Sequence, residues 1–196
     1  MVSRSSRAKR RRKMSTWGIL GCGTIANEMA ETFIKMGHEI YGVSNRTLKK
    51  AEKFAETYGV KHVFKTYEEM LADEKIDIIY IATPHSRHYE NMMQAVKAGK
   101  HVLCEKAITV NAAQLEEVLK LAEKKHVVVR EAMTISHMPL YKKLKERIKE
   151  GAIGKTKMVQ VNFGSNKGYD STNRFFALEA AGGALLDIGV YATSFE

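Results

Sequence analysis

The residues Gly21-Cys22-Gly23-Thr24-Ile25-Ala26 join a short apolar run, Trp17 to Leu20, to a segment with Ile25, Met29, Ala30, Phe33 and Ile34 apolar at helical spacing. A strand, a tight turn and a helix start in that order suit the binding of a pyrophosphate. The first glycine makes the turn, the second lets backbone approach the phosphates, and a small third residue, here Ala26, allows close packing of helix on sheet. The N–H groups of Thr24, Ile25 and Ala26 would face the phosphate charge, which the helix dipole also favours. A dinucleotide with a free ribose 2′-hydroxyl usually meets an acid about 20 residues beyond such a turn. Ser44-Asn45-Arg46 stands there instead. Ser44, Arg46 and Lys50 are suited to neutralising a 2′-phosphate, so the expected cofactor is NADP, with NAD as the alternative.

Metal and thiol chemistry find less support. Cys22 and Cys104 are the only cysteines and neither has a metal-ligand spacing around it. We read them as reduced thiols of a cytoplasmic protein. His85 and His88 share a helix face at i, i+3, but no third ligand stands near them in sequence, and no metal is expected.

The elements that would position these residues alternate between strand and helix from Trp17 to Ala132. Ile40 to Ser44 reads as the second strand. Thr47 then caps a helix with Leu48, Ala51, Phe54, Ala55 and Tyr58 on one face, stopped by Gly59. Thr66-Tyr67-Glu68-Glu69 is a capping box for a short helix. Ile76 to Ala82 is a nearly continuous apolar run, as a parallel strand covered on both faces requires, and Thr83-Pro84 breaks it. A helix with Tyr89, Met92, Met93 and Val96 follows, ending at Gly99. His101 to Cys104 is a strand. Asn111 with Gln114 opens a helix carrying Leu115, Val118, Leu119 and Ala122, and Val127 to Ala132 closes the set. The alternation predicts a doubly wound α/β sheet of the Rossmann type, with ligands at the carboxyl ends of its strands.

The pattern changes after Ala132. Pro139 suits the first turn of a helix with Leu140, Tyr141, Leu144 and Ile148 on one side, ended by Gly151 and Gly154. Val159, Val161 and Phe163 alternate with Gln160 and Asn162, predicting a half-buried strand of an open-faced antiparallel sheet, the start of an α+β unit. One such strand cannot bury its own face, so its partners are expected from another chain or from a longer form of the protein. The expected organisation is a basic tail over 1–14, a dinucleotide-binding domain over 15–132 and a partial substrate and oligomerisation domain over 133–196.

The 196 residues carry 32 Lys and Arg against 22 Asp and Glu, a formal charge of +10. Seven of those positives lie among residues 1 to 13, which hold no acid; without them the balance is 25 against 22. The charge therefore reports a tail and does not argue for a nucleic-acid-binding body. We expect the tail to be disordered and functionally silent. No run reaches the roughly 18 apolar residues of a membrane span.

Three further stretches fall where such a sheet places function: Ala82-Thr83-Pro84-His85, Cys104-Glu105-Lys106-Ala107, and Gly182-Gly183-Ala184-Leu185-Leu186-Asp187-Ile188-Gly189-Val190-Tyr191. With the glycine turn, and with Ala98-Gly99-Lys100-His101-Val102 before the lysine, the ordered set resembles the glucose-fructose oxidoreductase and inositol dehydrogenase (Gfo/Idh/MocA) family of nicotinamide oxidoreductases. Tyr191, where many members carry histidine, is similar to the branch of dihydrodiol and xylose-type dehydrogenases. The resemblance implies that Lys106 lies beside the nicotinamide and the substrate hydroxyl as acid/base, that Asp187 orients substrate and lysine, and that Tyr191 is a second acid/base. It places Thr83, Pro84, His85, His88 and Glu105 along the cofactor. It also implies a homo-oligomer in the full-length form.

The chain departs from the family at Ala107, where proline is expected; a cis bond before alanine costs about 2.5 to 4 kcal/mol, far more than before proline. Ala181 replaces the first of three usual glycines, and alanine suits that place only if φ is negative. The resemblance implies hydride transfer to or from an alcohol carbon of a small sugar, polyol or cyclic diol. The alternative is a catalytically silent dinucleotide-binding protein or a truncated fragment of such an enzyme.

Overall fold

The computed structural model describes residues 14–194; the basic run of residues 1–13 and the expectations attached to it lie outside the described residues. Six strands, β1 (Trp17–Leu20), β2 (Ile40–Ser44), β3 (His62–Phe64), β4 (Ile78–Ile81), β5 (His101–Cys104) and β6 (Val129–Glu131), form one parallel sheet in the order β3-β2-β1-β4-β5-β6. The order reverses between β1 and β4, the switch point at which sheets of this class bind ligands in a crevice beyond the carboxyl ends of the strands. Successive side chains point to opposite faces. Thus Ile19 and Tyr80 pack with Ala26, Ala30 and Phe33 of helix α1 (Thr24–Lys35) and Ala51 and Phe54 of α2 (Leu48–Tyr58). Leu20, Ile79 and Ile81 pack with Met70 of α3 (Tyr67–Ala72), Met92 and Val96 of α4 (His85–Lys97) and Val118 of α5 (Ala112–Lys125).

Side-chain caps open α3 and α5, whereas Thr47 stands at the start of α2 but its side chain makes no cap bond, contrary to the sequence expectation. The Thr66 hydroxyl accepts from Glu69 N–H, while Glu69 Oε2 accepts from Lys65 N–H, one residue before the position an ideal capping box would use. Asn111 Oδ1 accepts from Gln114 N–H at 2.9 Å. At the rim where the strands begin, the buried Lys100 ammonium donates to the Asp73 and Ile76 carbonyls at 2.7 and 2.9 Å, and Asp77 Oδ2 accepts from Thr16 N–H.

Several sequence expectations change. The fourth strand is shorter than its apolar run, because Ile76 is buried but lies outside the pairing with β1 and β5. The last is likewise confined to Val129–Glu131. The short edge strand β3 carries no strong apolar alternation. Leu119 is exposed rather than on the buried face of α5, where the partly buried Leu121 packs instead.

Helix α6 (Pro139–Lys149) begins at Pro139 as expected, but only Tyr141 of its apolar side is buried; Leu140 is 77% and Leu144 42% exposed. Val159, Val161 and Phe163 pair with no strand among the described residues, and Val159 and Phe163 are exposed. A strand with period-two apolar spacing needs a neighbour to satisfy its backbone, and none of the described segments offers one. No helix among the described residues is long and apolar enough to cross a membrane.

Candidate functional site

The glycine turn is built tightly on one side and left open on the other. Gly21 has φ +96°, and a β-carbon there would lie 2.7 Å from the Ala82 carbonyl oxygen, so the turn after β1 passes directly over the end of β4. Gly21 N–H donates to the Ser44 carbonyl at 2.9 Å, and Cys22 N–H to Asn45 Oδ1 at 3.1 Å, which ties the turn to the end of β2. Ala26 is fully buried, as close helix packing requires. A β-carbon on Gly23 would meet nothing within 4 Å, and no side chain caps α1. The first N–H groups of α1, with Thr24 and Ile25 exposed, thus face open space above two glycines. That cradle fits a pyrophosphate.

At the end of β2, Ser44 is not presented to a ligand. It is fully buried and its hydroxyl donates to the Phe64 carbonyl at 3.1 Å, because the edge strand β3 covers it. Arg46 is exposed. Between the glycine turn and α2, Cys22, Asn27, Lys50, Lys53, Phe54 and Thr57 line a cavity of about 260 Å³. Burial pushes the Cys22 thiol up to about 12, against a smaller opposing effect of Lys50, so it stays protonated at neutral pH.

After β4, the Thr83 hydroxyl accepts from Asn91 Nδ2 at 2.9 Å, and the exposed Pro84 precedes the first turn of α4. His85 is 6% exposed with Nδ1 at 3.4 Å from the Ala181 carbonyl, and burial lowers its pKa, so it is neutral at pH 7. His88 does not line the crevice as the resemblance implies. Its ring is fully buried, with Nδ1 at 2.7 Å from the Ala107 carbonyl and Nε2 at 2.8 Å from the Thr83 carbonyl. Burial takes its pKa down to about 4, outweighing those carbonyls.

After β5, three residues meet that are distant in sequence. Lys106 Nζ donates to Asp187 Oδ1 at 2.9 Å and to the Asp187 carbonyl at 2.5 Å, and stands 5.3 Å from the centre of the Tyr191 ring. Asp187 lies in a π-helical turn, Leu185–Gly189, that runs straight into helix α7 (Val190–Thr193) carrying Tyr191. The Tyr191 ring is held edge-on by Phe163 at 5.6 Å. The Lys106–Asp187 pair is largely screened, its side chains 17% and 16% exposed. The Lys106–Ala107 peptide bond is cis. Glu105 points into the protein, its Oε1 accepting from the Tyr80 hydroxyl at 2.6 Å; burial raises its pKa, more than this bond lowers it. Tyr80 and Asn45 are site-shaping residues that sequence reasoning missed. A tyrosine inside a continuous apolar strand did signal a buried hydroxyl in need of a partner.

The turn before Asp187 shows what the lost glycine does. Gly183 has φ +118°, and a β-carbon on Gly182 would lie 2.7 Å from the Arg174 carbonyl, so both must be glycine. Ala181 has φ +55°, the left-handed conformation that alanine adopts at a cost of roughly 1–2 kcal/mol. Ala181→Gly is therefore expected to raise stability by about 0.5–1 kcal/mol, net of the greater freedom glycine gives the unfolded chain. A thermal melt checks this; an unchanged or lower midpoint would show the turn to be unstrained.

A six-stranded 3-2-1-4-5-6 parallel sheet with a glycine turn at its switch point is the architecture of a dinucleotide-binding domain of the Rossmann class. Residues 15–133 match the family model described as oxidoreductase family, NAD-binding Rossmann fold, and residues 141–195 match that of the GFO/IDH/MocA C-terminal domain. The chain belongs to the GFO/IDH/MocA oxidoreductase family. It is 33% identical to trans-1,2-dihydrobenzene-1,2-diol dehydrogenase of Xenopus tropicalis over 91% of this chain and 54% of that protein. It is 38% identical to the NADP(+)-dependent D-xylose 1-dehydrogenase of Hypocrea jecorina over 89% of this chain and 50% of that one. Among solved structures, a 3-ketoreductase from Actinomadura kijaniata in complex with NADP and TDP-benzene superposes with TM-score 0.78 at 25% identity, covering 91% of this chain and 55% of the other. The chain spans about half the length of the curated relatives it matches.

Proposed function

We propose that this chain carries the cofactor cradle and the proton-transferring group of an NADP-preferring enzyme that moves hydride to or from an alcohol carbon of a sugar, polyol or cyclic diol. The observation that carries the reading is the convergence of Lys106, Asp187 and Tyr191 at the carboxyl end of β5, beside the glycine cradle. When bound, the nicotinamide supplies the hydride donor or acceptor. The residues of the chain handle the accompanying proton. In reduction the Lys106 ammonium gives a proton to the developing alkoxide; in oxidation the amine takes it from the hydroxyl. Asp187 fixes the ammonium, and the Tyr191 hydroxyl is placed to bond or protonate the same oxygen.

The named activities of the dihydrodiol and xylose dehydrogenases support this substrate class. The division at residue 132, a cytoplasmic setting and a homo-oligomeric enzyme belong to the same proposal, the last supported by the exposed Leu140, Leu144, Ile153 and Leu185.

The preference for NADP rests on the missing acid after β2, on the exposed Arg46 that follows that strand, and on Lys50 and Lys53 lining the cavity next to the glycine turn. Fluorescence titration is expected to show NADPH binding more tightly than NADH, and Arg46→Ala to erase most of the difference by removing a charge-assisted pair with the 2′-phosphate. Equal affinities in the unaltered chain would overturn the preference.

A further inference from the structure

We propose that Tyr80, Glu105 and His88 are positioning residues that hold the peptide unit before Lys106 and the one after Ala107, and so set the aim of the Lys106 ammonium. The proposal rests on the role assigned to Lys106 above. On the N-terminal side, Lys106 N–H donates to Glu105 Oε2 at 3.3 Å, and the other oxygen of that carboxylate accepts from the Tyr80 hydroxyl at 2.6 Å. Tyr80 is fully buried in β4 and Glu105 is 9% exposed, so the pair is anchored in the core of the sheet. A carboxylate taken out of water needs its lone pairs met, and here a phenol and a backbone N–H meet them.

On the C-terminal side, the carbonyl of Ala107 lies 2.7 Å from His88 Nδ1, whose other ring nitrogen lies 2.8 Å from the Thr83 carbonyl. A neutral imidazole has one ring N–H, so the ring donates to one of these carbonyls at a time while its other nitrogen faces the second. Either way it spans the gap between the loop after β4 and the loop after β5. Ile108 N–H donates to Glu131 Oε1 at 2.9 Å, which extends the hold to β6. The lysine side chain is long and flexible, and its reach is fixed only if its root is. A displacement of about 1 Å at a reacting group costs on the order of 10²-fold in rate. Tyr80 and His88 are fully buried, so neither touches substrate; their effect passes through the Lys106 backbone.

The test reads Lys106 directly and needs no turnover. The native chain is treated with limiting acetylating reagent, and the rate at each lysine is followed by peptide mass spectrometry. The buried Lys100, at the opposite rim of the sheet, reports general loosening. His88→Leu and Tyr80→Phe are each expected to speed acetylation of Lys106 about fivefold or more with Lys100 unchanged, as its contacts with Asp187 open locally. His88→Gln, which keeps one donor, is expected to recover part of the protection. Lys106 rates that stay unchanged, or that rise in step with Lys100, would overturn the proposal. If His88→Leu does not fold, Tyr80→Phe, which removes a single oxygen atom, decides alone. The result is independent of whether Lys106 transfers a proton, which a separate rate measurement addresses.

Discussion

Lys106→Met is expected to nearly abolish hydride transfer, by about 10⁴-fold, and Tyr191→Phe to lower it by about 10² to 10⁴, while both keep NADPH affinity within about twofold. Methionine preserves much of the length and volume of the lysine but can neither give nor take a proton. The change also leaves the Asp187 carboxylate, only 16% exposed, without its cation. Some loss of stability is therefore expected, and Lys106→Met combined with Asp187→Asn separates that loss from the chemistry, because the double variant strands no charge. Deuterium transfer from 4-deuterated NADPH to a panel of aldoses, ketoses and cyclic ketones, followed by mass spectrometry, measures even slow turnover. A rate unaffected by Lys106→Met would remove the lysine from the mechanism.

The two glycines of the cradle are expected to fail in opposite ways. Gly21→Ala combines a left-handed backbone with a β-carbon 2.7 Å from the Ala82 carbonyl, whose residue is itself held by a 2.8 Å bond from its N–H to Leu20. The strands involved are the two at the centre of the sheet. We expect a loss of about 3 kcal/mol or more, a drop of roughly 10 °C in Tm. Gly23→Val meets no protein atom within 4 Å and needs no unusual φ, so Tm should hold. Its side chain would fill the space a pyrophosphate requires, and NADPH affinity should fall on the order of 10²-fold or more. Melting curves and a binding isotherm for each variant distinguish the two positions; a stability loss at Gly23 with binding intact would show that the open space above it is not the cofactor cradle.

Much of the Rossmann unit was legible because short-range rules govern it. The glycine turn, the Thr66 and Asn111 caps and the apolar run of β4 each express a constraint within a few residues. The first strand of the second sheet was a different matter: the alternation at Val159, Val161 and Phe163 is present, but pairing depends on a neighbour that no local pattern supplies. The exposed side of α6 has the same origin. Within the candidate site, residue types pointed to the glycine turn, and family likeness pointed to Lys106, Asp187 and Tyr191, which the fold brings together. Neither could show that Ser44 and His88 turn inward. The Ser44 hydroxyl is used by the Phe64 carbonyl and the single ring N–H of His88 by the Ala107 or the Thr83 carbonyl, contacts made only once β3 pairs and the loops after β4 and β5 come together.

The lock formed by Lys100, Asp73, Ile76, Asp77 and Thr16 sits at the rim opposite the cradle. The residues proposed to bind cofactor and transfer a proton lie where the strands end, whereas these contacts secure the chain where they begin. Mutational drift in the loops after β4 and β5 can thus proceed without loosening the register of the strands. A Rossmann unit arranged in this way can change its ligand contacts at one pole while selection for folding acts at the other.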